Sequence, residues 1–326
     1  MASEQKAWDV LVVGELNVDL ILDQLESFPE IGKEKRAGAM TLTLGSSSAI
    51  FAANIAALGA RTAFLGMIGQ DDFGQLVLRS LQQSGVQTDY IVRAKHHQTG
   101  ITVVLNIGND RAMVTYPGAM AAFSIDDVDF AVISRARHLH FSTYFLQSGI
   151  RPGLRLLLQV AKEAGLTTSL DVQWDPAERW DFDYRTILPL VDVFLPNEAE
   201  VRALTGETSA IQGGRYLAQY GHLVVVKQGS HGATAIKGQS VIQHRGFKNE
   251  SVVDAIGAGD SFNAGFIYQF IQKKPVEECL RFANLMGAIN TTAAGGTGAF
   301  TSPQAIEATA RKRFGQKIQL HSVGKP

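Results

Sequence analysis

The sequence contains a single cysteine, Cys279, so an intrachain disulfide cannot form. It also lacks long apolar runs, because charged residues interrupt every hydrophobic stretch well short of the roughly 20 residues that a membrane span needs. The N-terminal MASEQKAWDV has no apolar segment behind a basic one, as a secretory leader would have. We therefore expect a cytoplasmic protein with no membrane partner, and Cys279 as a small core residue.

Net charge is also nearly absent. The 30 Lys and Arg residues against 31 Asp and Glu give −1, which offers no electrostatic reason to expect a nucleic-acid partner. The one basic run, Arg311–Arg313, is typical of a solvated helix end. With 45% hydrophobic residues in 326, the chain can bury the core of one large α/β domain with an appendage, or of two ordinary domains.

Two common nucleotide-binding motifs are missing as well. No G-x-x-x-x-G-K-[ST] loop occurs. The first predicted strand, Val10–Val13, runs into Gly14-Glu15-Leu16-Asn17 and not into a glycine-rich dinucleotide fingerprint. These absences count against a P-loop enzyme and against an NAD-dependent dehydrogenase.

The sequence does show a regular alternation of strand and helix patterns. Strands are predicted at 10–13, 62–68, 138–142, 166–172, 191–195 and 222–227, and helices at 46–58, 73–84, 152–164 and 197–205. This alternation predicts a predominantly parallel sheet with helices on both faces.

Two stretches break the alternation. Residues 17–45 have no helical period and contain short alternating runs, and residues 101–116 form a hairpin around Gly108-Asn109-Asp110. Together they predict a small separate sheet. It is either a lid over a site or a plain edge extension.

The strongest chemical signal lies in Asp254-Ala255-Ile256-Gly257-Ala258-Gly259-Asp260. Small residues at Gly257, Ala258 and Gly259 leave backbone N–H groups uncovered, and a helix predicted to begin at about Asp260 adds the positive end of its dipole. Such a site binds an anion, and Asp260 could accept a proton from an attacking hydroxyl during phosphoryl transfer. The alternative is an ordinary glycine turn with an aspartate that favours a helix start.

Three shorter segments each allow two interpretations. Asn197 and Glu200 have the spacing of a capping box, and the same side chains could organise Mg²⁺ at the carboxyl end of a strand. The Lys227–Ala233 loop could enclose a nucleotide or be a simple turn. His138 and His140 alternate on one strand, and we favour a structural role over a metal pair because no third ligand is near in sequence.

Taken in order, these segments resemble the PfkB (ribokinase-like) family of carbohydrate and nucleoside kinases, from Gly14 to about Thr301. The Asp254–Asp260 stretch is similar to the family's D-T-x-G-A-G-D motif, with alanine in place of threonine. Asn197-x-x-Glu200 is similar to its N-x-x-E element. The Gly14–Asp19 stretch resembles the opening strand and turn, whose aspartate binds sugar hydroxyls.

The resemblance implies a fold and a set of site residues. The fold is a three-layer α/β/α body (1–16, 46–96 and 121–326) with a β lid (17–45 and 97–120). Asp260 would be the general base, with the amides of Gly257, Ala258 and Gly259 around the transferred phosphoryl group. ATP would contact Asn197, Glu200, Lys227, Gly229, Gly232 and Asn284, and the sugar would contact Asn17, Asp19, Gly45, Ser46, Ile50 and Asn54. The resemblance also implies Mg²⁺ near Glu200, through water, and allows a K⁺ site near Asp254 and the Ala293–Gly298 turn.

One departure from the family pattern concerns substrate choice. The family usually has Gly-Gly-x-x-x-Asn before its first helix, where this chain has Gly45-Ser46-Ser47-Ser48-Ala49-Ile50. Ile50 cannot hydrogen-bond a sugar hydroxyl, so either Asn54, one helical turn on, compensates or the substrate presents an apolar edge there. We expect Ile50→Asn to change the choice of acceptor more than the binding of ATP.

The resulting interpretation is an ATP-dependent sugar kinase. A nucleoside kinase of the same family is one alternative, and a catalytically weak sugar-binding or sensing protein is another. Family members often dimerise through their lids, and apolar alternation at Leu42, Leu44, Val103 and Leu105 is compatible with a homodimer. The helix dipole is expected to keep Asp260 ionised at neutral pH.

Overall fold

The computed structural model describes residues 6–108 and 110–321. Asn109, in the predicted hairpin turn, lies outside the described residues, as do the chain ends 1–5 and 322–326. The described residues form thirteen strands and eleven α-helices. The strands are β1 (Trp8–Val13), β2 (Asn17–Asp23), β3 (Ala39–Leu44), β4 (Thr62–Gly69), β5 (Ile91–Ala94), β6 (Gly100–Ile107), β7 (Asp110–Tyr116), β8 (Ala136–Ser142), β9 (Thr167–Asp171), β10 (Val193–Phe194), β11 (Val224–Lys227), β12 (Ala233–Lys237) and β13 (Ser240–His244). The helices are α1 (Ser47–Ala57), α2 (Asp72–Gln83), α3 (Ala119–Ala122), α4 (Phe130–Ile133), α5 (Leu154–Glu163), α6 (Tyr184–Ile187), α7 (Glu198–Thr205), α8 (Ala210–Leu217), α9 (Ala258–Phe270), α10 (Val276–Asn290) and α11 (Pro303–Phe314).

Nine of the strands form the large sheet, in the order β13-β12-β11-β10-β9-β8-β1-β4-β5. Neighbours from β11 to β5 run parallel, and β12 and β13 extend one edge antiparallel. The chain leaves β1 for β4 on one side and later returns to β8 on the other, so the strand order reverses between β1 and β8. A reversal of this kind leaves a crevice at the carboxyl ends of the strands, where α/β proteins bind ligands.

The large sheet is buried on both faces. Val10 and Val12 of β1 belong to a core that includes Phe51 of α1, whereas Leu11 and Val13 belong to the opposite core. This alternation follows from the two-residue period of a strand, since both faces are apolar. The predicted three-layer α/β/α arrangement is therefore confirmed. No helix in the range 6–321, apart from the omitted position 109, is long and apolar enough to cross a bilayer.

Four strands form a separate small sheet in the order β3-β2-β6-β7. They lie within the two ranges, 17–45 and 97–120, that break the alternation of the body. Strands β2 and β6 come from the two different ranges and pair in parallel. The sheet therefore depends on both insertions, and its action as a lid stays a prediction.

Three residues that were assigned structural roles are buried in the core. Cys279 is a fully buried thiol in α10, as predicted. His138 and His140 are also fully buried, and both share hydrogen bonds of 2.7 Å with the Ser169 hydroxyl. Burial lowers the pKa of His138 to about 3, so the ring is neutral. Both histidines stabilise the β8–β9 pair from within the core.

Candidate active site

Asp260 lies in the first turn of α9, which begins at Ala258, two residues earlier than the sequence predicts. Gly257 caps this helix in the left-handed conformation, with φ of 75°. A Cβ atom at Gly257 would lie 2.5 Å from the Cα atom of Gly296, so only glycine fits there. The close approach of these two glycine turns fixes where the helix starts.

The backbone at this helix start exposes hydrogen-bond donors. Among the described residues, the N–H groups of Gly257, Gly259 and Asp260 have no backbone or side-chain acceptor, whereas the N–H of Ala258 donates to the Ala255 carbonyl over 3.3 Å. Unpartnered amides at the positive end of a 13-residue helix form a site suited to an anion. Two of the three predicted amides, those of Gly257 and Gly259, are therefore available as donors, whereas that of Ala258 already has an acceptor; the binding of an anion here stays a prediction.

The Asp260 carboxyl is only 7% exposed and stands among other charges. Burial and the negative charge of Asp171 raise its pKa to about 8, and Glu15 adds to this effect. The Lys227 ammonium and the Ser47 hydroxyl act in the opposite direction. The sequence-based expectation was that Asp260 is ionised at neutral pH. The structure differs from this expectation because burial and the charge of Asp171 outweigh the helix dipole.

A buried ion pair lies next to Asp260. The Lys227 ammonium pairs with Asp171, which is fully buried at the end of β9. Burial alone would lower the pKa of Lys227, but the charges of Asp171, Glu200 and Asp260 raise it. The ammonium nitrogen would lie 3.8 Å from a Cβ atom built on Gly259. Lys227, the first residue of the 227–233 loop, therefore extends its side chain to the predicted anion site.

Two residues of this cluster escaped the sequence-based assignment. Asp171 accepts hydrogen bonds from Lys227, Asn263 and Gln173, and the Gln173 amide also donates to Asp260 over 3.2 Å. The available signal was their position, because Asp171 lies at the carboxyl end of a predicted buried strand and Gln173 directly follows that strand. That edge of a parallel sheet is where α/β proteins place their functional groups.

Glu15 is a second buried carboxylate that the sequence pattern did not single out. Its oxygens accept hydrogen bonds from the Ser48 hydroxyl and from the Thr143 hydroxyl at 2.7 Å. Burial raises the pKa of Glu15, and these hydroxyls lower it. The cluster connects the ends of β1 and β8 with the start of α1, at the point where the strand order reverses.

Asn197 and Glu200 form the predicted capping box. The Glu200 carboxylate accepts the Asn197 backbone N–H at 2.8 Å and its side-chain amide at 2.6 Å, while the Glu200 N–H donates to the Asn197 side-chain oxygen. Burial and the charge of Asp171 raise the pKa of Glu200 to about 7. The structural interpretation is confirmed, and the metal-related role stays a prediction.

Asp19 and Asn17 face Gly45 at the start of the small sheet. A side chain at Gly45 would collide with Asp19 and would lie 2.5 Å from the Asn17 side-chain oxygen. Asp19 is 8% exposed and accepts no hydrogen bond from the described residues; burial and the charges of Glu15 and Asp254 raise its pKa to about 7. The Asn17 side-chain oxygen is also buried without a donor among those residues. Buried acceptors of this kind favour a ligand that brings hydroxyl groups.

The other predicted substrate residues have structural contacts of their own. Ser46 caps α1 through its hydroxyl, which also donates to the Glu15 carbonyl. Ile50 is 2% exposed, and its side chain lies against the backbones of Gly257 and Gly296. Ile50 therefore supports the anion-site turn, and its contact with the sugar stays a prediction.

Asn54 is fully buried one turn further along α1. Its amide donates to the Ser261 hydroxyl at 2.8 Å and to the Gly296 carbonyl at 2.9 Å. These contacts connect α1 to α9 and to the glycine turn. A direct contact between Asn54 and a sugar stays a prediction, and the observed bonds give this residue a structural role.

The predicted ATP residues Lys227, Gly229, Gly232 and Asn284 line one cleft of about 340 Å³ beside Gly259. Phe247, Val252 and Ala288 add apolar surface to it. The Asn284 amide donates to the His244 carbonyl at 3.2 Å. The cleft thus ends at the anion site, as a nucleotide with its phosphates toward Asp260 would require.

Asp254 connects the two glycine turns. Its carboxylate accepts the N–H of Ile256 at 2.9 Å and the N–H of Gly295 at 2.8 Å. Within the described ranges, no group of three or more His, Cys, Asp or Glu side chains is arranged as a metal site. A monovalent cation near Asp254 would therefore depend on backbone carbonyls, and this site stays a prediction.

Comparison with known proteins decides the family. The family described as "pfkB family carbohydrate kinase" matches residues 8–303, which is most of the chain. This chain belongs to the pfkB family of carbohydrate kinases. The kinase is similar to the ATP-dependent ribose-1-phosphate kinase of Halopiger xanaduensis, with 31% identity over 94% of this chain and 99% of the relative. It is also similar to the ribokinase of Haemophilus influenzae, with 28% identity over 87% and 92% of the two chains.

Solved structures give the same result for the fold. A structure of Arabidopsis thaliana ribokinase complexed with ribose and ATP matches this kinase with a TM-score of 0.79 and 27% identity, over 92% of this chain and 97% of that one. An adenosine kinase from Sinorhizobium meliloti matches with a TM-score of 0.82 and 24% identity, over 94% and 99% of the two chains. The kinase has the ribokinase-like fold.

Proposed function

We propose that this kinase transfers the γ-phosphoryl group of ATP to a hydroxyl of a small carbohydrate, with Asp260 as the general base. The observation that carries this proposal is the position of Asp260. It lies among unpartnered amides at the start of α9, directly after Gly259, which lines the 340 Å³ cleft, and the charge of Glu15 acts both on Asp260 and on the acceptor-side carboxylate Asp19. A catalytically weak sugar-binding protein would have no need of a buried acid at that point.

The proposed reaction is a direct displacement. The acceptor oxygen forms a bond to the γ-phosphorus while its proton passes to an Asp260 oxygen, and the bond between the γ-phosphorus and the bridging oxygen breaks to release ADP. The amides of Gly257 and Gly259 would donate to the transferred phosphoryl oxygens. The Lys227 ammonium would offset the charge that builds up beside Asp171.

Mg²⁺ bound to ATP would neutralise phosphate charge and orient the transferred group. Both oxygens of Glu200 already accept hydrogen bonds from Asn197, so Glu200 would act on the metal through water. The residues fit this role, because Glu200 lies near Asp171 and Lys227 at the carboxyl edge of the sheet. K⁺ at the Asp254 turn is a second proposal, tested by comparing turnover in potassium and in sodium salts. ATP as the phosphoryl donor fits the cytoplasmic location that the sequence predicts.

The acceptor is proposed to be a polyhydroxylated sugar. Asp19 and the Asn17 oxygen are buried acceptors, and sugar hydroxyls would satisfy them. The relatives named above act on ribose or ribose 1-phosphate, by their names. A nucleoside kinase is the second candidate, favoured by the apolar Ile50 at the acceptor side and by the structural match to adenosine kinase.

A phosphorylation panel tests the proposed function. The purified kinase would be given ATP and Mg²⁺ with pentoses, hexoses, ketoses, deoxy acids, sugar phosphates or nucleosides, and ADP formation would be measured. We expect turnover with at least one sugar above the rate of ATP hydrolysis. Tight sugar binding without ADP formation would instead support the sensing protein, and turnover with nucleosides alone would support the second candidate.

Replacing Glu200 with glutamine is expected to lower turnover and to raise the Mg²⁺ concentration that the enzyme requires. Glutamine keeps an oxygen for the Asn197 N–H and so preserves much of the capping box. The measurement is initial rate against Mg²⁺ concentration, together with the melting temperature. Glu198→Gln is the matched control, because Glu198 lies in the same helix turn and is one-third exposed. A lower melting temperature with unchanged Mg²⁺ dependence would show that Glu200 acts only as a cap.

We also propose that the kinase forms a homodimer through the outer face of the small sheet. Strand pairing puts Leu20, Leu42, Val103 and Val114 on one face of this sheet. Val114 is 68% exposed, and Met40 and Tyr116 on the same face are also exposed. Contiguous exposed apolar side chains mark an interaction surface.

The substitution Val114→Lys is expected to convert a dimer into monomers, measured by sedimentation velocity. The matched control is Met113→Lys. Met113 is similarly exposed but points to the opposite face of the same strand, so this variant should stay dimeric. A wild-type protein that sediments as a monomer would refute the proposed interface.

A further inference from the structure

The segment that follows β9 has an unusual backbone. Gln173, Glu178 and Trp180 all have positive φ, of 60°, 52° and 54°, although none is glycine. This region of the Ramachandran map costs a non-glycine residue of order 1 kcal/mol, and such residues cluster at functional sites. The segment therefore needs contacts that hold it in place.

Asp175 provides those contacts. It is 5% exposed, and its carboxylate accepts the backbone N–H groups of Ala177, Arg179 and Trp180 at 2.8 to 2.9 Å. At the other end, the Gln173 backbone N–H donates to Asp171 at 3.3 Å. The backbone of this segment is therefore held at Gln173 itself and at residues 177, 179 and 180.

The Gln173 carboxamide joins two buried carboxylates. Its nitrogen lies 3.1 Å from an Asp171 oxygen and 3.2 Å from the Oδ1 atom of Asp260. Both neighbours are acceptors, so the NH₂ group faces them, and it has one hydrogen for each. Lys227 and Asn263 donate to the same Oδ2 atom of Asp171. The position of the Asp171 carboxylate is therefore fixed by several donors, and Asp171 in turn fixes the Gln173 carboxamide that donates to Asp260.

We propose that Gln173 is a positioning residue for Asp260: its carboxamide holds the Oδ1 atom, so that the Oδ2 atom faces the acceptor hydroxyl. This inference rests on the proposed function. Without the hydrogen bond, the carboxylate could rotate about its last side-chain bond and present either oxygen to Lys227. General-base catalysis requires that the Oδ2 atom of Asp260 lies within hydrogen-bond distance of the acceptor hydroxyl, because the proton is transferred between these two oxygens.

The same hydrogen bond affects ionisation. The charged groups that face Asp260 are Asp171 from β9, Lys227 from β11 and Glu15 from the β1 end, with the Ser47 hydroxyl of α1. A hydrogen-bond donor to the carboxylate favours its ionised form. Gln173 and Lys227 therefore both lower the pKa of Asp260, whereas the charges of Asp171 and Glu15 raise it. Removal of the carboxamide should make Asp260 harder to ionise.

The test uses two substitutions in the full-length enzyme. Gln173→Met keeps the length of the side chain but removes the donor. Gln173→Asn tolerates the left-handed backbone, but it is one methylene too short to join both carboxylates. For each variant we expect kcat to fall about ten- to a hundredfold, as for loss of a hydrogen bond to a charged group. The acidic limb of the pH profile of kcat/KM should move up by roughly one pH unit, and the KM for ATP should change little.

Thr168→Val is the matched control. Thr168 is buried in the same strand as Asp171 and its hydroxyl donates to the Leu190 carbonyl at 2.6 Å, but it makes no side-chain hydrogen bond to Asp171 or Asp260 among the described residues. This variant should lose melting temperature without moving the acidic limb. If Gln173→Met does not fold, the asparagine variant decides alone.

Wild-type kcat and an unmoved limb in a folded Gln173 variant would overturn the inference. A lower melting temperature alone would show that Gln173 only fills space between two acids. These outcomes are separate from failure of the proposed function. If Asp260→Asn keeps normal turnover, the proposed function fails; if Asp260→Asn is inactive while both Gln173 variants are normal, only the positioning role fails.

Discussion

Replacing Asp260 with asparagine is expected to lower kcat by about a hundred- to ten-thousandfold, the usual contribution of general-base assistance. Asparagine preserves the shape of the side chain and can still lie in the first turn of α9, but it cannot take a proton from the acceptor. ATP binding should stay within a few-fold, since backbone amides and Lys227 would hold the phosphates. Steady-state kinetics combined with calorimetric titration of ATP measure both effects.

The pH profile provides an independent check on Asp260. Burial and the charge of Asp171 raise its pKa to about 8, so only about a tenth of the free enzyme has an ionised base at pH 7. We therefore expect kcat/KM for the acceptor to rise with pH up to about 8 and then to level off. The asparagine variant should lack this limb. Near-normal turnover of that variant with every active acceptor would leave the anion site as an ordinary glycine turn.

Replacing Lys227 with methionine is expected to lower the free energy of unfolding by about 3–5 kcal/mol, in addition to impairing catalysis. Methionine matches the length of the lysine stem but leaves Asp171 as an uncompensated charge with no exposed surface. Glu200 and Asp260 would lose the same neighbouring cation. Urea denaturation of the wild type and the variant measures the change.

Lys162→Met is the control for this prediction. Lys162 pairs with Asp192, but both side chains are partly exposed, so water can replace the lost contact and the change should be at most about 1 kcal/mol. The double variant Lys227→Met with Asp171→Asn should recover part of the lost stability, because the stranded charge is gone. If Lys227→Met and Lys162→Met lower the free energy of unfolding equally, water must reach the Lys227–Asp171 pair as well.

The architecture could be predicted from sequence because its determinants are local. Apolar strands such as Val10–Val13 alternate with amphipathic helices, and that alternation permits few arrangements other than a parallel sheet covered on both faces. The anion site was predictable for the same reason: Gly257, Gly259 and Asp260 are neighbours in the chain. Even there, the helix start was placed two residues late, because the contact with Gly296 that fixes it is distant in sequence.

The chemistry around Asp260 could not be predicted in this way. Gln173 and Asp260 are 87 positions apart, and Asp171 and Asn263 are 92 apart. No periodicity or motif in one sequence relates such pairs, and only the packing of α9 over the ends of β9 and β11 brings them together. The pKa of Asp260 illustrates the result, since the helix dipole can be inferred from sequence, but burial and the charge of Asp171 cannot.

Asn54 illustrates a different limit. Its position one turn after Ile50 suggested a sugar contact, which stays a prediction, and the contacts that the structure does show, with Ser261 and the Gly296 carbonyl, were not predicted. Helical spacing gives the relative angle of two residues and leaves open which neighbour lies on that side. The identity of the neighbour depends on the tertiary structure.

The contact of Ile50 with Gly257 and Gly296 has a consequence for protein engineering. A designer who wishes to broaden or switch the acceptor would choose position 50 first, because it departs from the usual family residue. Yet the side chain of Ile50 also packs against Gly257 and Gly296, and Gly257 belongs to the turn that is proposed to bind the transferred phosphoryl group. A redesigned residue must therefore recognise a new substrate and fill the same volume, so libraries at this position should vary Ser47 and Gly296 alongside it.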